Sequence, residues 1–326
     1  MEISKNLHLK PKQMRIIEWN CQGAFRNKNK EIVELKPDIL IVPECEEENK
    51  LKFGTLTPKP NDFKWIGESG KKGVGIFSFS NYQFKILKEY NPKYRYVIPL
   101  EVTNGQNTFI LFAVWAMNDK KNPLARYIGQ IWLAINYYKS IFSEDIIIMG
   151  DFNSNQIWDE KDRVGNHTDV VNFLNEFQVE SLYHKQYNES HGKEKLSTFF
   201  MYRNIEKPYH IDYVFASHNL IKNGFNLKLE NHSNWIDKSD HIPLILDLSP
   251  FKSNSKTLEK YYEIIKSKLT DLSPETKLKF KPEFEKIERT AFEIDNKEIG
   301  EDEFLKLVDK IEVLKQIDEL SKRLLN

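Results

Sequence analysis

The sequence predicts an α/β domain over residues 1–250, followed by a helical extension over residues 251–326. Three observations lead to this prediction. Short runs of apolar, often β-branched residues end at glycine, proline or polar residues, as buried strands do. Between these runs, residues 123–142 carry apolar side chains at helical spacing. From Phe251 onward the chain is rich in lysine and glutamate, and its apolar residues again follow a helical spacing.

The strands are predicted to form a largely antiparallel sheet, because loops such as Thr103-Asn104-Gly105 are too short for crossover connections. The period-two alternation of the segment that contains Asp212 places this carboxylate on the face opposite to Ile211 and Tyr213. A second amphipathic helix is predicted from 170 to 177. The predicted strands cover residues 14–20, 39–42, 73–78, 96–102, 109–115, 146–149, 196–200, 209–215 and 242–246.

Composition narrows the class of protein. The 326 residues can form one large domain and a smaller addition. Lys plus Arg equals Asp plus Glu at 48 each, so the chain has no overall positive charge that would indicate binding to nucleic acid. A neutral total is still compatible with a local basic cleft. Cys21 and Cys45 lack metal-site spacing, and the N-terminus has no apolar signal core. With no stretch as long as a membrane span, we expect a reduced, cytoplasmic chain without a membrane partner.

The first candidate motif follows the apolar run at residues 146–149. Gly150 ends this run, and Asp151 and Asn153 come next. Because they are two residues apart in an extended segment, their side chains point to one side, with Phe152 turned into the protein. A carboxylate and an amide on one side can bind a water and a phosphoryl oxygen together. Taken alone, the motif favours an ordinary Asx turn at the end of a strand.

Polar side chains also stand at other predicted strand ends. Asn20 ends the first strand, Glu44 ends the second, and Asp240 and His241 directly precede the last. One polar strand end is unremarkable, but several in series require a common explanation.

The order of these motifs resembles the endonuclease/exonuclease/phosphatase superfamily over roughly residues 14–248. The resemblance implies a four-layer sandwich, in which two β-sheets pack face to face with helices outside and the active site lies at one end. Each motif is short, but their combination in this order is specific. The motifs are Trp19-Asn20, Pro43-Glu44, Gly150-Asp151-Phe152-Asn153, His210-Ile211-Asp212-Tyr213 and Ser239-Asp240-His241.

The resemblance also implies a metal site. Its residues would be Glu44 as the principal ligand, with Asn20 and Asp240. Their oxygen atoms suit Mg²⁺, or alternatively Mn²⁺.

The remaining motif residues would carry the chemistry. Asp151, helped by Asn153, would orient and deprotonate a water for in-line attack on phosphorus. His241, held by Asp212, would donate to the phosphoryl oxygens.

Further candidates surround these motifs. Trp115 stands where relatives have tyrosine or histidine, and it offers an N–H donor and a stacking face but no titratable proton. Asn118 matches a phosphate-contacting asparagine of the abasic-site endonucleases. His210 shares the face of Asp212 and could contact phosphate. Arg126 lies at the start of a predicted helix, where it either faces the substrate or is simply exposed to solvent.

Three further histidines lie in polar, loop-like sequence and are expected to be solvated. They are His167, His184 and His191.

The expected function is that of a Mg²⁺-dependent phosphodiesterase acting on DNA or RNA. The alternatives are a phosphatase or phosphodiesterase for inositol phosphates, phospholipid head groups or nucleotides, and an inactive scaffold of the same fold. The extension over 251–326 is expected either to fold onto the domain or to bind a partner or a second copy of the chain, since its last helix has a near-heptad stripe.

Overall fold

The computed structural model describes residues 13–55, 57–161 and 163–251. The predicted helices of the extension lie outside the described residues, so the domain boundary and the role of this extension stay predictions. Phe251 itself is buried, and its ring packs at 6.0 Å from that of Phe109. Among the described helices, none is long and apolar enough to cross a membrane.

Strands dominate the described part of the chain. The strands are β1 Met14–Glu18, β2 Ile39–Cys45, β3 Asp62–Glu68, β4 Lys72–Ser78, β5 Gln83–Ile86, β6 Val97–Thr103, β7 Thr108–Trp115, β8 Ile146–Asp151, β9 Val179–Ser181, β10 Phe199–Phe200, β11 Pro208–Tyr209, β12 Asp212–Ser217, β13 Phe225–Leu229 and β14 Leu244–Leu248. The α-helices are α1 Asn29–Val33, α2 Ile128–Tyr137, α3 His167–Glu176, α4 Leu182–Tyr187, α5 His218–Ile221 and α6 His232–Trp235.

Two six-stranded sheets form the centre of the fold. The first has the order β13-β14-β1-β2-β4-β3, and the second has the order β5-β6-β7-β8-β12-β9. Pairing is antiparallel except between β1 and β2 and between β7 and β8. The prediction of largely antiparallel sheets is therefore confirmed.

The apolar side chains divide into one core between the sheets and two outer cores. Ile16 and Ile41 of the first sheet and Leu111 and Met149 of the second belong to the inner core. Helices α2 and α3 cover the outer face of the second sheet, and α1 and α6 contribute to the outer core of the first. Each large side chain buried in this way contributes about 1.5–3 kcal/mol of hydrophobic free energy. The four-layer sandwich implied by the resemblance is confirmed.

Several strands at the edges of the sheets were not predicted from the sequence. β3, β5 and β13 are edge strands of the two sheets. An edge strand is half exposed, so it has no continuous apolar run to identify it. The predicted helix over 123–142 is also interrupted, because Tyr127 has φ +51° and α2 begins only at Ile128.

The topology brings several strand ends to one place. The parallel pairs β1–β2 and β7–β8 each align two carboxyl ends, and β12 begins where β8 ends, with Asp212 opposite Asp151. Asn20, which follows β1 of the first sheet, reaches Asp151 of the second. The two sheets thus meet at a single polar group at this end of the sandwich.

Candidate active site

Asp151 is the centre of this polar group. Its carboxylate is fully buried and accepts three hydrogen bonds. Oδ2 accepts from Nδ2 of Asn20 at 2.9 Å and from Nδ2 of Asn153 at 2.8 Å. Oδ1 accepts from the backbone N–H of Asn153 at 2.8 Å. These donors hold the carboxylate in one orientation.

The local sequence explains why Asp151 takes this position. Gly150 has φ +151°, and a Cβ atom there would lie 2.0 Å from the carbonyl oxygen of Val114 on β7, so only glycine fits. Asn153 has φ +47°, a conformation that asparagine tolerates better than most residues. Its Nδ2 also donates to the carbonyl of Ala116 at 2.9 Å. Phe152 is buried in the outer core of the second sheet, as predicted.

His241 lies between two carboxylates. Its Nδ1 is 3.0 and 2.9 Å from the two oxygens of Asp212, and its Nε2 is 3.9 Å from Oδ2 of Asp151. Asp212 is itself positioned by its backbone N–H, which donates to Oγ1 of Thr198 at 3.0 Å. The short contact with Asp212 assigns the Nδ1 proton to this pair and leaves Nε2 directed toward Asp151.

The electrostatics of Asp151 and His241 suit proton transfer. Burial raises the pKa of Asp151 to about 7, against the opposing effects of His241 and of the hydrogen bonds from Asn20 and Asn153. Burial alone would lower the pKa of His241, but the carboxylates of Asp212 and Asp151 raise it to about 10. A proton acceptor matched to neutral pH therefore lies beside a protonated donor.

A second set of oxygen atoms borders Asp151. Asp240 accepts a hydrogen bond from Nε2 of Gln22 at 2.8 Å, and burial, with a further contribution from Glu44, raises the pKa of its carboxyl. Glu44 pairs with Lys72 and has φ +61° at an irregularity of β2. Oδ1 of Asn20 accepts from the backbone N–H of Gln22 at 3.0 Å. Two carboxylates beside an amide oxygen fit a hard divalent cation such as Mg²⁺.

Sequence reasoning missed Glu18, which lies on β1 below this group. Its side chain is fully buried, and neither carboxylate oxygen has a hydrogen-bond partner among the described residues. Burial, with the nearby charges of Asp212 and Asp151, raises the pKa of Glu18 well above its usual value. A single glutamate in an apolar strand gives no signal that it points between the sheets.

We expect the substitution Glu18→Met to raise the free energy of unfolding at pH 7 by about 1–3 kcal/mol, since it removes an unpartnered buried polar group at similar volume. Chemical denaturation monitored by circular dichroism measures this change. Glu34→Met, at an exposed position, is the control and should have little effect. A loss of stability in Glu18→Met would mean that the carboxyl has a stabilising partner in solution.

Three predicted residues are not brought into this group. Trp115 is only 5% exposed and stacks on Tyr96 at 4.9 Å, so its ring is not available to a base. Nδ1 of His210 lies 2.8 Å from the carbonyl oxygen of Leu196, and its ring packs at 4.4 Å from Tyr183, away from the phosphate role expected of it. Asn118 is exposed and lines another pocket.

Arg126 lines a cleft that includes Asn153. The cleft also contains Arg163 and three aromatic side chains, those of Tyr127, Trp158 and Phe199. Trp158 is 48% exposed, and Arg126 and Arg163 approach Glu160 at 3.9 and 3.7 Å. Cations and exposed aromatic rings therefore lie beside the polar group. Trp158 and Arg163 were not predicted, because neither stands in a recognisable motif.

The fold has solved counterparts. An AP endonuclease from Archaeoglobus fulgidus matches with a TM-score of 0.53 at 18% identity, covering 73% of this chain and 100% of that one. Truncated TDP2 from Caenorhabditis elegans matches with a TM-score of 0.51 at 15% identity, covering 74% and 100%. The 3'-5' exonuclease NExo from Neisseria meningitidis matches with a TM-score of 0.51 at 16% identity, covering 73% and 100%. At these identities the likeness establishes the fold.

The sequence itself identifies the family. No curated protein sequence matches the chain. The family model described as "Endonuclease/Exonuclease/phosphatase family" matches residues 17–241, which include the polar group around Asp151 and most of the two sheets. The chain therefore belongs to the endonuclease/exonuclease/phosphatase family.

Proposed function

We propose that this chain is a Mg²⁺-dependent phosphodiesterase that hydrolyses nucleic acid by in-line attack of a water activated by Asp151. The observation that carries the proposal is the oriented, buried carboxylate of Asp151 beside Nε2 of His241. Such an arrangement has the parts that hydrolysis of a phosphodiester requires, and an inactive scaffold would have no need of them.

In this proposal Asp151 accepts the proton of the attacking water. Its pKa near neutrality allows it to be ionised before attack and to hold a proton afterwards. Asn153 and Asn20 fix the carboxylate, so that a water bound to it has a defined direction of attack.

His241 stabilises the negative charge that develops on the phosphoryl oxygens. Its raised pKa keeps it protonated, and Asp212 fixes the ring so that Nε2 is the donor. The donor is buried, so its interaction with the transition state is screened little by water.

Glu44, Asp240 and Asn20 would hold the cation. A bound Mg²⁺ supplies charge neutralisation at the phosphodiester and a lower pKa for a bound water. The pairing of Glu44 with Lys72 is compatible with this role, because a cation can replace the ammonium group beside the carboxylate.

The cleft beside Asn153 supports a nucleic-acid substrate. Arg126 and Arg163 can contact phosphates, and the half-exposed ring of Trp158 can stack on a base. The solved relatives named as an AP endonuclease and a 3'-5' exonuclease support the same substrate class. Among the predicted substrate contacts, Arg126 remains part of this proposal.

The substitution Glu44→Gln is expected to abolish Mg²⁺-dependent cleavage of a labelled oligonucleotide while leaving the thermal unfolding midpoint nearly unchanged. It removes one charge from a hard-cation site and keeps the shape of the side chain. The matched control is Glu47→Gln, which alters a half-exposed glutamate three residues further along the chain that pairs with Lys50. Full activity in Glu44→Gln, or full activity of the unaltered chain in excess EDTA, would refute the metal mechanism.

A further inference from the structure

A group of histidines lies behind the candidate active site. His167 is 1% exposed and His210 is 4% exposed, whereas the sequence predicted that His167, His184 and His191 would be solvated. The rings of His184 and His191 stack with centroids 3.5 Å apart, and Nε2 of His167 lies 3.2 Å from Nδ1 of His191. The prediction of solvated histidines was wrong because folding brings α3, α4 and the loop after α4 together.

Within this group, His184, His191 and Glu194 each offer one ligand atom, and these atoms lie within 4.8 Å of one another. Nε2 of His184 is 3.0 Å from Oε1 of Glu194. Nδ1 of His184 is occupied by Oγ of Ser181 at 2.7 Å, so Nε2 is the nitrogen presented to the carboxylate. A histidine whose other nitrogen is fixed by a hydrogen bond is the usual arrangement at protein metal sites.

Two buried nitrogen atoms of the group have no partner. Nε2 of His210 is unpartnered among the described residues, although the ring is almost fully buried and lies 6.3 Å from that of His184. Nδ1 of His167 is likewise unpartnered. A buried imidazole nitrogen without a hydrogen bond costs free energy, so binding of a polar ligand within this group of histidines would be favoured.

We propose that His184, His191 and Glu194 form a second metal site that binds Zn²⁺ or a similar borderline divalent cation. Two imidazoles and one carboxylate are a ligand set that suits Zn²⁺, whereas Mg²⁺ prefers oxygen ligands. The proposed site is separate from Glu44, Asn20 and Asp240 in both residues and ligand chemistry.

The connections of Glu194 indicate a structural role for this site. Nδ2 of Asn155 donates to Oε2 of Glu194 at 3.1 Å and to the carbonyl oxygen of His210 at 2.9 Å. Asn155 lies two residues beyond Asn153, and His210 lies two residues before Asp212. A cation at Glu194 would therefore stiffen the two segments that position the catalytic side chains.

The test uses the full chain with Glu44→Gln and Asp240→Asn, so that the candidate catalytic metal site is weakened. This variant is stripped with a chelator, loaded with Zn²⁺, exchanged into metal-free buffer and analysed by mass spectrometry for metal content. We expect about one Zn²⁺ retained per chain and a higher thermal unfolding midpoint than in the stripped form. No retained Zn²⁺ would overturn the proposal.

Substitutions in the same background locate the ion. His191→Asn and Glu194→Gln should each lose the retained Zn²⁺, whereas the control His218→Asn, at an exposed histidine outside the group, should keep it. Retention in folded His191→Asn would overturn the assignment, because the ion would then lie elsewhere.

Co²⁺ gives a result that does not depend on how those variants fold. The background variant loaded with Co²⁺ should show the intense visible absorption of a four-coordinate ion. The weak absorption of six-coordinate Co²⁺ would overturn the proposal. Failure here leaves the proposed phosphodiesterase untouched, because its test is Mg²⁺-dependent cleavage of an oligonucleotide.

Discussion

Replacement of Asp151 by asparagine is expected to lower the single-turnover rate of phosphodiester cleavage by about 10²- to 10⁴-fold. The amide keeps the size of the side chain but cannot accept a proton from the attacking water. In the unaltered chain, the amide groups of Asn20 and Asn153 donate hydrogen bonds to the carboxylate of Asp151. The N–H₂ group of an asparagine at position 151 would face at least one of these donors and could not accept its hydrogen bond. The measurement is quenched-flow cleavage of a labelled oligonucleotide with enzyme in excess.

The control for this prediction is Glu160→Gln, which removes an exposed carboxylate from the cleft without touching Asp151. It should leave the cleavage step within about twofold, because exposed ion pairs contribute little. Near-normal cleavage in Asp151→Asn would mean that another group activates the water, and the assignment of the centre of the site would be wrong.

The pair of Asp212 and His241 should behave as one unit. His241→Ala and Asp212→Ala are each expected to slow cleavage by about 10²- to 10³-fold, since each disables a positioned donor to the phosphoryl oxygens. The double variant should be little slower than the slower single variant, because Asp212 has nothing to orient once the imidazole is absent. Single-turnover rates of the four proteins form the double-mutant cycle.

The unfolding free energies of the same four proteins test the pair in a second way. Each single substitution leaves one buried charge without its partner and should cost about 3–5 kcal/mol of unfolding free energy. The double variant should cost less than the sum of the two, because neither charge remains. His218→Ala, at an exposed histidine, is the control. Additive losses in both rate and stability would show that the contact of 2.9 Å is not a functional pair.

The sequence predicted the residues of the candidate site through the resemblance of its motifs to a known family. Taken alone, the motif at Asp151 favoured an ordinary Asx turn. The order of the motifs can be recognised without knowledge of how the two sheets pack. The structure brings Asn20, Asp212 and His241 into contact with Asp151 or with each other.

Other features depend on packing that local sequence does not encode. Trp115 continues an apolar strand and could have faced either side, but its position places the ring on Tyr96 in the inner core. Glu18 occupies a strand position that would suit a solvated edge equally well. His184 and His191 are distant from His210 in sequence, and only the folded loop after α4 brings them together.

The hydrolysis of a substrate panel tests the central proposal most directly. Labelled single- and double-stranded DNA, RNA, inositol phosphates and nucleotides are each incubated with the full chain in Mg²⁺, and in parallel with EDTA. We expect nucleic acid to be cleaved in Mg²⁺, little hydrolysis of the small phosphate esters, and no cleavage in EDTA. Hydrolysis of inositol phosphates or nucleotides alone, or no hydrolysis of any substrate with Mg²⁺ or Mn²⁺, would contradict the proposed function.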